Sequence, residues 1–173
     1  MVVFPIHFKS SGAKAMLLLT GEYQHVIDNK GRVLVSNKLR SQIDVREHGS
    51  DFYLILGANG VLCLYPEKYF EQVVLAAAEE SAAPDEAVAF ERMSFALANK
   101  VELDSQGRLL INERLRKRAG LTDEITLVGV RDHIEIWNND SWEQYLESNM
   151  NQYQKQMSRA RKTVMQQQRD LDT

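Results

Sequence analysis

The feature that most constrains the fold of this chain is an internal repeat. Residues 28–40 read DNKGRVLVSNKLR and residues 104–116 read DSQGRLLINERLR, and six of these thirteen positions are identical without a gap. Beyond a length change in the next loop, the hydrophobic outline of residues 51–72 matches that of residues 123–144. Self-similarity of this kind indicates one supersecondary unit used more than once. The chain therefore contains two copies of a small module.

Both copies are predicted to contain the same order of strands, turns and helices, from alternation, turn residues and helix caps. For the first copy we predict a strand over 22–27, a turn over 28–31, a strand over 32–35, a short helix from Ser36 to Ile43, a hairpin of strands 52–57 and 61–65, and a helix from Pro66 to about Ala78. For the second we predict a strand over 100–103, a turn over 104–107, a strand over 108–111, a helix from Asn112 to Ala119, a hairpin over 124–137, and a closing helix from Asn139 or Asp140.

The two copies are joined by helix rather than by a flexible linker. The run from Ser81 to Pro84 breaks one helix, and Asp85 can cap the next, which runs to about Ala98. Because a small β-β-α-β-β unit cannot bury both faces of a hairpin alone, we expect each copy to complete the core of the other. Two independent domains are the alternative.

These boundaries divide the chain into five segments. They are an N-terminal extension (1–15), a first module (17–80), a connecting helix (81–99), a second module (100–149) and a basic tail (150–173). The tail either extends the last helix or is a frayed, solvated segment, and we favour fraying because chain termini are often poorly ordered.

An Asp-x-x-x-Arg turn in each copy resembles the MraZ family of transcriptional regulators. The motif stands at Asp28–Arg32 and Asp104–Arg108, and the flanks GEYQHVIDNKGRV, ALANKVELDSQGRLLI and GLTDEITLVGVRDHIEIW are also similar. The resemblance spans roughly residues 17–147. Ser36 and Asn112 stand where family members often have Pro, a departure that touches helix initiation and not the DNA contacts.

The resemblance implies both a fold and a function. The implied fold is α+β, with two tandem β-rich AbrB/SpoVT-like swapped-hairpin modules about a pseudo-two-fold axis, a helical connector and a C-terminal helix. The implied function is binding, as a homo-oligomeric ring, to repeated G-containing boxes in double-stranded DNA. The usual target of the family lies upstream of the cluster of cell-division and cell-wall genes.

Charge placement agrees with a nucleic-acid partner, although the formal net charge is only −3. Residues 28–46 carry five basic and two acidic side chains, and residues 104–118 carry the same numbers. The connecting region, residues 66–103, carries eight acids against three bases. A polarised protein of this kind can dock on DNA in one direction.

The candidate DNA-binding residues lie at the two turns and on the short helices after them. Lys and Arg bind phosphates, an Arg fork can bind guanine O6 and N7, and a two-stranded ribbon fits the major groove. Alternatively, each turn Asp pairs with its own Arg and only shapes the turn, while the helix arginines satisfy terminal carbonyls. The candidates are Asp28, Lys30, Arg32, Lys38, Arg40, Asp104, Arg108, Arg114 and Arg116.

Other classes of function find little support in the sequence. Cys63 is the only cysteine, so no intramolecular disulfide and no cysteine-based zinc site is expected. The four histidines stand far apart, and P-loop, nucleophile-elbow and dinucleotide motifs do not occur. No apolar run is long enough to span a bilayer. We therefore expect no enzyme activity, metal, cofactor, small-molecule substrate or membrane partner.

The leading hypothesis is a sequence-specific DNA-binding regulator that acts as a homo-oligomer in the cytoplasm, at the nucleoid. The alternative is a ring-forming protein-interaction module that binds nucleic acid only weakly. The salt dependence of binding separates the two hypotheses, because contacts with DNA phosphates release counterions, whereas contacts with a protein need not.

Overall fold

The computed structural model describes residues 17–57, 60–72 and 84–171, and its architecture is α+β with antiparallel strands. Residues 67–72 are also helical. The labelled elements, in chain order, are β1 (Glu22–Val26), β2 (Arg32–Leu34), α1 (Asn37–Arg40), α2 (Val45–His48), β3 (Phe52–Leu56), β4 (Leu62–Pro66), α3 (Pro84–Leu97), β5 (Asn99–Val101), β6 (Arg108–Leu110), α4 (Glu113–Arg118), β7 (Glu124–Val130), β8 (His133–Asn138) and α5 (Asn139–Leu171).

The two copies exchange strands. A six-stranded sheet has the order β1-β7-β8-β4-β3-β5, so the first strand of each copy pairs with the hairpin of the other. The two hairpins meet at the centre, where β4 pairs with β8. Strands β2 and β6 form a separate two-stranded ribbon, again with one strand from each copy. The alternative of two independent domains is therefore wrong, and the expected mutual completion of the cores is confirmed.

A pseudo-two-fold axis passes through both sheets. In the ribbon, Val33 lies opposite Leu109, and these residues occupy equivalent positions of the repeat. In the large sheet, Cys63 lies opposite Glu135, and these are also equivalent. Where a residue pairs with its own repeat equivalent, the axis must run between the two. The duplicated sequence thus builds one pseudo-symmetric body.

One hydrophobic core lies between the ribbon and the large sheet. Val33 and Leu109 point inward from the ribbon and are fully buried. They join one cluster with side chains of the sheet's inner face, among them Leu64 and Ile134, and with Leu39. Burial of each such side chain contributes about 1.5–3 kcal/mol. Since the cluster draws on both copies, neither copy folds around a core of its own.

Three local features of the first copy differ from the predictions. The predicted helix over 36–43 is only the four-residue α1, capped by the Ser36 hydroxyl, which accepts from the Lys38 N–H. A second short helix, α2, follows and was not predicted; the Asp44 carboxylate caps it. Pro66 ends strand β4 opposite Phe52, where its missing N–H is tolerated, and the predicted helix begins one residue later, at residue 67.

The connector and the tail also depart from the predictions. Helix α3 begins at Pro84, where the missing N–H of proline costs nothing, and not after it. Helix α5 continues to Leu171, so the helical extension, and not the favoured fraying, describes the tail. Predictions for the extension 1–15 and for the helix end near Ala78 fall outside the described residues. In the described part of the chain, no helix is both long and apolar enough to cross a membrane.

Candidate nucleic-acid interface

The first Asp-x-x-x-Arg turn is closed by one carboxylate. Asp28 Oδ1 accepts hydrogen bonds from the backbone N–H groups of Lys30 and Arg32, each at 2.9 Å. Asp28 Oδ2 accepts from Arg32 Nε at 2.9 Å and lies 2.7 Å from Arg32 Nη2. Gly31 has a φ of +76°, which a residue with a Cβ rarely adopts. The turn is therefore a compact unit in which backbone, carboxylate and guanidinium hold one another.

The second turn repeats this arrangement. Asp104 Oδ1 accepts from the N–H groups of Gln106 and Arg108 at 2.9 Å, and Oδ2 lies 2.7 Å from both Nε and Nη2 of Arg108. Gly107 has a φ of +77°. Each turn Asp thus forms an ion pair with the Arg of its own turn, as the alternative interpretation of the sequence proposed. The ion pair shapes the turn and occupies one edge of the guanidinium.

The two carboxylates stay ionised over the whole physiological pH range. The hydrogen bond from the Arg32 side chain, helped by the Arg32 N–H, lowers the pKa of Asp28 to about 2. For Asp104 the pKa is lowered chiefly by the Arg108 backbone N–H and then by the Arg108 side chain. A charged acceptor makes each hydrogen bond stronger than a neutral one would be. Each Arg is therefore oriented before any ligand arrives.

Each clamped guanidinium keeps one edge free. Arginine has five N–H donors, and the carboxylate occupies the Nε–Nη2 edge. Within the described part of the chain, no acceptor lies in hydrogen-bond range of Nη1 of Arg32 or of Arg108. The outer Nη1–Nη2 edge is a fork of the kind that binds guanine O6 and N7. The clamp is therefore compatible with base recognition and fixes the direction of the fork.

The ribbon carries both arginines on one exposed face. Arg32 lies opposite Leu110, and Leu34 lies opposite Arg108. Residues opposite each other in an antiparallel pair point to the same side, so the face consists of two arginines and two leucines. Leu34 and Leu110 are 43% and 55% exposed, which is unusual for leucines in a regular strand pair. We did not single out these leucines from the sequence, although their alternation with buried Val33 and Leu109 was the available signal.

The helix arginines differ between the copies. Arg40 donates from Nε to the Val35 carbonyl at 3.0 Å, and its guanidinium lies against Gly107 of the opposite turn. Arg116 donates from Nε to the Leu121 carbonyl at 3.3 Å and forms an ion pair with Asp123. Arg40 therefore adds positive charge beside the second turn, whereas the charge of Arg116 is largely neutralised by Asp123 in the loop after α4.

The remaining candidates are exposed cations on the first turn and on the two short helices. Lys30 extends from the first turn, while Lys38 and Arg114 lie on α1 and α4. All three are exposed, and among the described residues none of their side chains forms an ion pair. Backbone pairing places the second turn beside the start of α1 and the first turn beside the start of α4. The structure thus places all nine predicted residues on the two turns of the ribbon, on its strands or on the short helices that follow them.

A model of the family "MraZ protein, putative antitoxin-like" matches this chain twice, over residues 18–93 and 94–164. The chain belongs to the MraZ family. Relatives include MraZ proteins called "Transcriptional regulator MraZ" from Finegoldia magna, Lachnoclostridium phytofermentans and Pediococcus pentosaceus.

The similarity to these MraZ relatives extends over most of each chain. The Finegoldia magna protein is 38% identical over 128 residues, which cover 74% of this chain and 86% of the relative. The Lachnoclostridium phytofermentans protein is 36% identical over 141 residues, which cover 82% and 96%. The Pediococcus pentosaceus protein is 35% identical over 130 residues, which cover 75% and 87%. Each of these MraZ proteins is named as a regulator and not as an enzyme.

Proposed function

We propose that this chain is a DNA-binding transcriptional regulator whose β2–β6 ribbon enters the major groove. The observation that carries the proposal is the pair of clamped arginines, Arg32 and Arg108, on one exposed ribbon face with the forks outward. A two-stranded ribbon has the width that the major groove admits. The names of the MraZ relatives support the same conclusion.

The division of labour follows from charge and position. The outer forks of Arg32 and Arg108 bind guanine edges, and each good bidentate pair is worth about 1–3 kcal/mol of discrimination. Lys30, Lys38 and Arg114 bind the flanking phosphates, because they are exposed and unpaired among the described residues. Leu34 and Leu110 contact the groove floor between the forks, where a thymine methyl is the matching surface.

The proposed target is a set of repeated G-containing boxes upstream of the division and cell-wall gene cluster, as the family resemblance implies. The regulator acts as a homo-oligomeric ring, since one ribbon offers little contact area and several ribbons raise the effective concentration. Exposed apolar side chains on the helices, such as Met93 and Phe95 of α3, support self-association. The protein then works in the cytoplasm, at the nucleoid.

A mobility shift with the DNA upstream of the protein's own gene tests the proposal. The informative variants are Arg32→Ala and its matched control Asp28→Asn. Both lose the ion pair, but only Arg32→Ala loses the fork, and Asn can still accept the two backbone N–H bonds of the turn. We expect Arg32→Ala to reduce the ratio of the affinities for cognate and scrambled DNA by about 10-fold or more. Asp28→Asn should retain most of this preference for cognate DNA.

The outcome against the proposal is equally definite. Equal loss of binding in both variants means that the pair only shapes the turn. No preference of the unaltered protein for its upstream DNA leaves the protein-interaction module as the better account.

A further inference from the structure

Three potential metal ligands meet on the outer face of the large sheet. Cys63 of β4 and Glu135 of β8 are cross-strand partners on the pseudo-two-fold axis, and His133 lies two residues before Glu135 on the same face. One ligand atom from each, the thiol sulfur, a ring nitrogen and a carboxylate oxygen, all lie within 4.8 Å of one another. Neighbours such as Leu62 and Ile134 point to the opposite face, into the core. The cluster therefore lies on the side of the sheet away from the ribbon.

Neighbouring residues hold these side chains in a fixed orientation. His133 Nδ1 lies 2.6 Å from Asp132 Oδ1, while Nε2 points toward Glu135 Oε1 at 3.5 Å. Asp132 in turn accepts a hydrogen bond from the Tyr69 hydroxyl at 2.8 Å. A histidine ligand commonly donates its other ring nitrogen to a carboxylate in this way, which leaves Nε2 for the metal.

Glu135, the second ligand, is also oriented by a hydrogen bond from a neighbouring side chain. Glu135 Oε2 accepts from Trp137 Nε1 at 2.8 Å, so Oε1 is left facing His133 Nε2. Cys63 is 5% exposed, whereas the side chains of His133 and Glu135 are 14% and 24% exposed. An ion can thus reach the cluster from the Glu135 side, which is its more exposed side.

The three kinds of donor, and the separation between His133 Nε2 and Glu135 Oε1, fit zinc. Zinc bonds of about 2.3 Å to sulfur and about 2.0–2.2 Å to nitrogen and oxygen place tetrahedral ligands about 3.3–3.6 Å apart. The 3.5 Å between His133 Nε2 and Glu135 Oε1 is such a separation. We propose that Cys63, His133 and Glu135 bind one Zn²⁺ ion on the pseudo-two-fold axis, with water as the fourth ligand.

The site breaks the symmetry of the repeat. In the first copy, Val61 occupies the position of His133, so each chain binds a single ion. The ion joins β4 of one copy to β8 of the other, at the seam between the two hairpins. Because binding to the folded state alone stabilises it, Zn²⁺ raises the melting temperature of the protein in a concentration-dependent way.

Titration of the metal-free full-length protein with Co²⁺, followed by competition with Zn²⁺, tests the site. We expect one Co²⁺ per chain, tetrahedral d–d bands and a thiolate-to-metal charge-transfer band that Zn²⁺ removes. Cys63→Ser should abolish the charge-transfer band and weaken Zn²⁺ binding more than about 100-fold, since even loss of a supporting residue costs 10–100-fold. Asp132→Asn should weaken it about 10–100-fold, and the matched control His25→Gln should leave it unchanged.

Two results overturn the proposal. One is an unaltered protein that gives no charge-transfer band with Co²⁺, a measurement that does not depend on the folding of any variant. The other is a Cys63→Ser variant that binds Zn²⁺ as tightly as the unaltered protein and shows the same rise in melting temperature. In either case the cluster is a hydrogen-bonded group without a metal.

Discussion

The two turns of this chain share a sequence motif and a set of hydrogen bonds, yet they differ in what lies beside them. Both place a clamped arginine on the ribbon, but only the second has a helix arginine, Arg40, resting on its glycine. The first turn carries Lys30 where the second carries Gln106. The comparison teaches that the duplication sets the fold symmetrically, while unpaired charges make the two halves of the interface unequal.

The core should show the symmetry most clearly. Leu39 of α1 and Leu115 of α4 are repeat equivalents, and both are almost completely buried in the shared cluster. Leu39→Ala and Leu115→Ala should each lower the free energy of unfolding by about 2–5 kcal/mol, because each leaves a cavity in the same core. Denaturant unfolding measures both values. A large loss of stability in one variant with almost none in the other would show that the two copies do not contribute equally to the core.

Substitutions of the two turn glycines should distinguish an effect on the conformation of the turn from an effect on DNA binding. Gly31→Ala and Gly107→Ala each force a residue with a Cβ to a positive φ, at about 1–3 kcal/mol of stability. An added Cβ at Gly107 lies 2.6 Å from Arg40 Cζ, whereas at Gly31 the nearest atom is the Ile111 carbonyl oxygen at 3.0 Å. Gly107→Ala should therefore also displace Arg40 and weaken DNA binding, as a mobility shift would detect. Equal DNA affinities for the two variants would count against a contact by Arg40.

The acid limb of stability should distinguish the two carboxylates. Both have a pKa below the ordinary Asp value, so their contribution is present above about pH 4 and is lost as the pH falls through the lowered pKa, which is about 2 for Asp28. The pKa shift is larger for Asp28, so Asp28→Asn should flatten the pH dependence of unfolding more than Asp104→Asn. Denaturant unfolding at stepped pH measures the slopes. Indistinguishable slopes would mean that the two clamps are electrostatically alike.

Much of the fold could be predicted because the repeat combines alternation, turn residues and caps at the same places twice. Ser36 caps its helix as expected, and Asn112, which was predicted as the first residue of its helix, caps that helix at the equivalent position of the second copy. Helix α2 was missed because four residues are too few for an apolar period. The helix after β4 begins one residue later than predicted, because a strand end and a first helical turn both tolerate the missing N–H of Pro66.

The candidate site could be predicted in part, for a different reason. Local spacing indicated the Asp–Arg clamps, since both partners lie in one turn. The contacts of Arg40 and Arg116 depend on loops from elsewhere in the chain, so composition gave no way to separate them. The proximity of Cys63 to His133 was hidden by 69 intervening positions and by the exchange of strands between copies.

The salt dependence of DNA binding tests the central claim most directly, because it reports how many cations of the ribbon neutralise phosphates. If several ribbons bind at once, log K should fall linearly with log salt, at about 0.9 per phosphate, with a total slope of several units. Lys30→Ala should lower that slope by about one unit for each Lys30 engaged and weaken all sequences alike, while its repeat equivalent Gln106→Ala should leave it unchanged. A nearly flat response, with no preference for the upstream DNA and no difference between these two variants, would contradict the account.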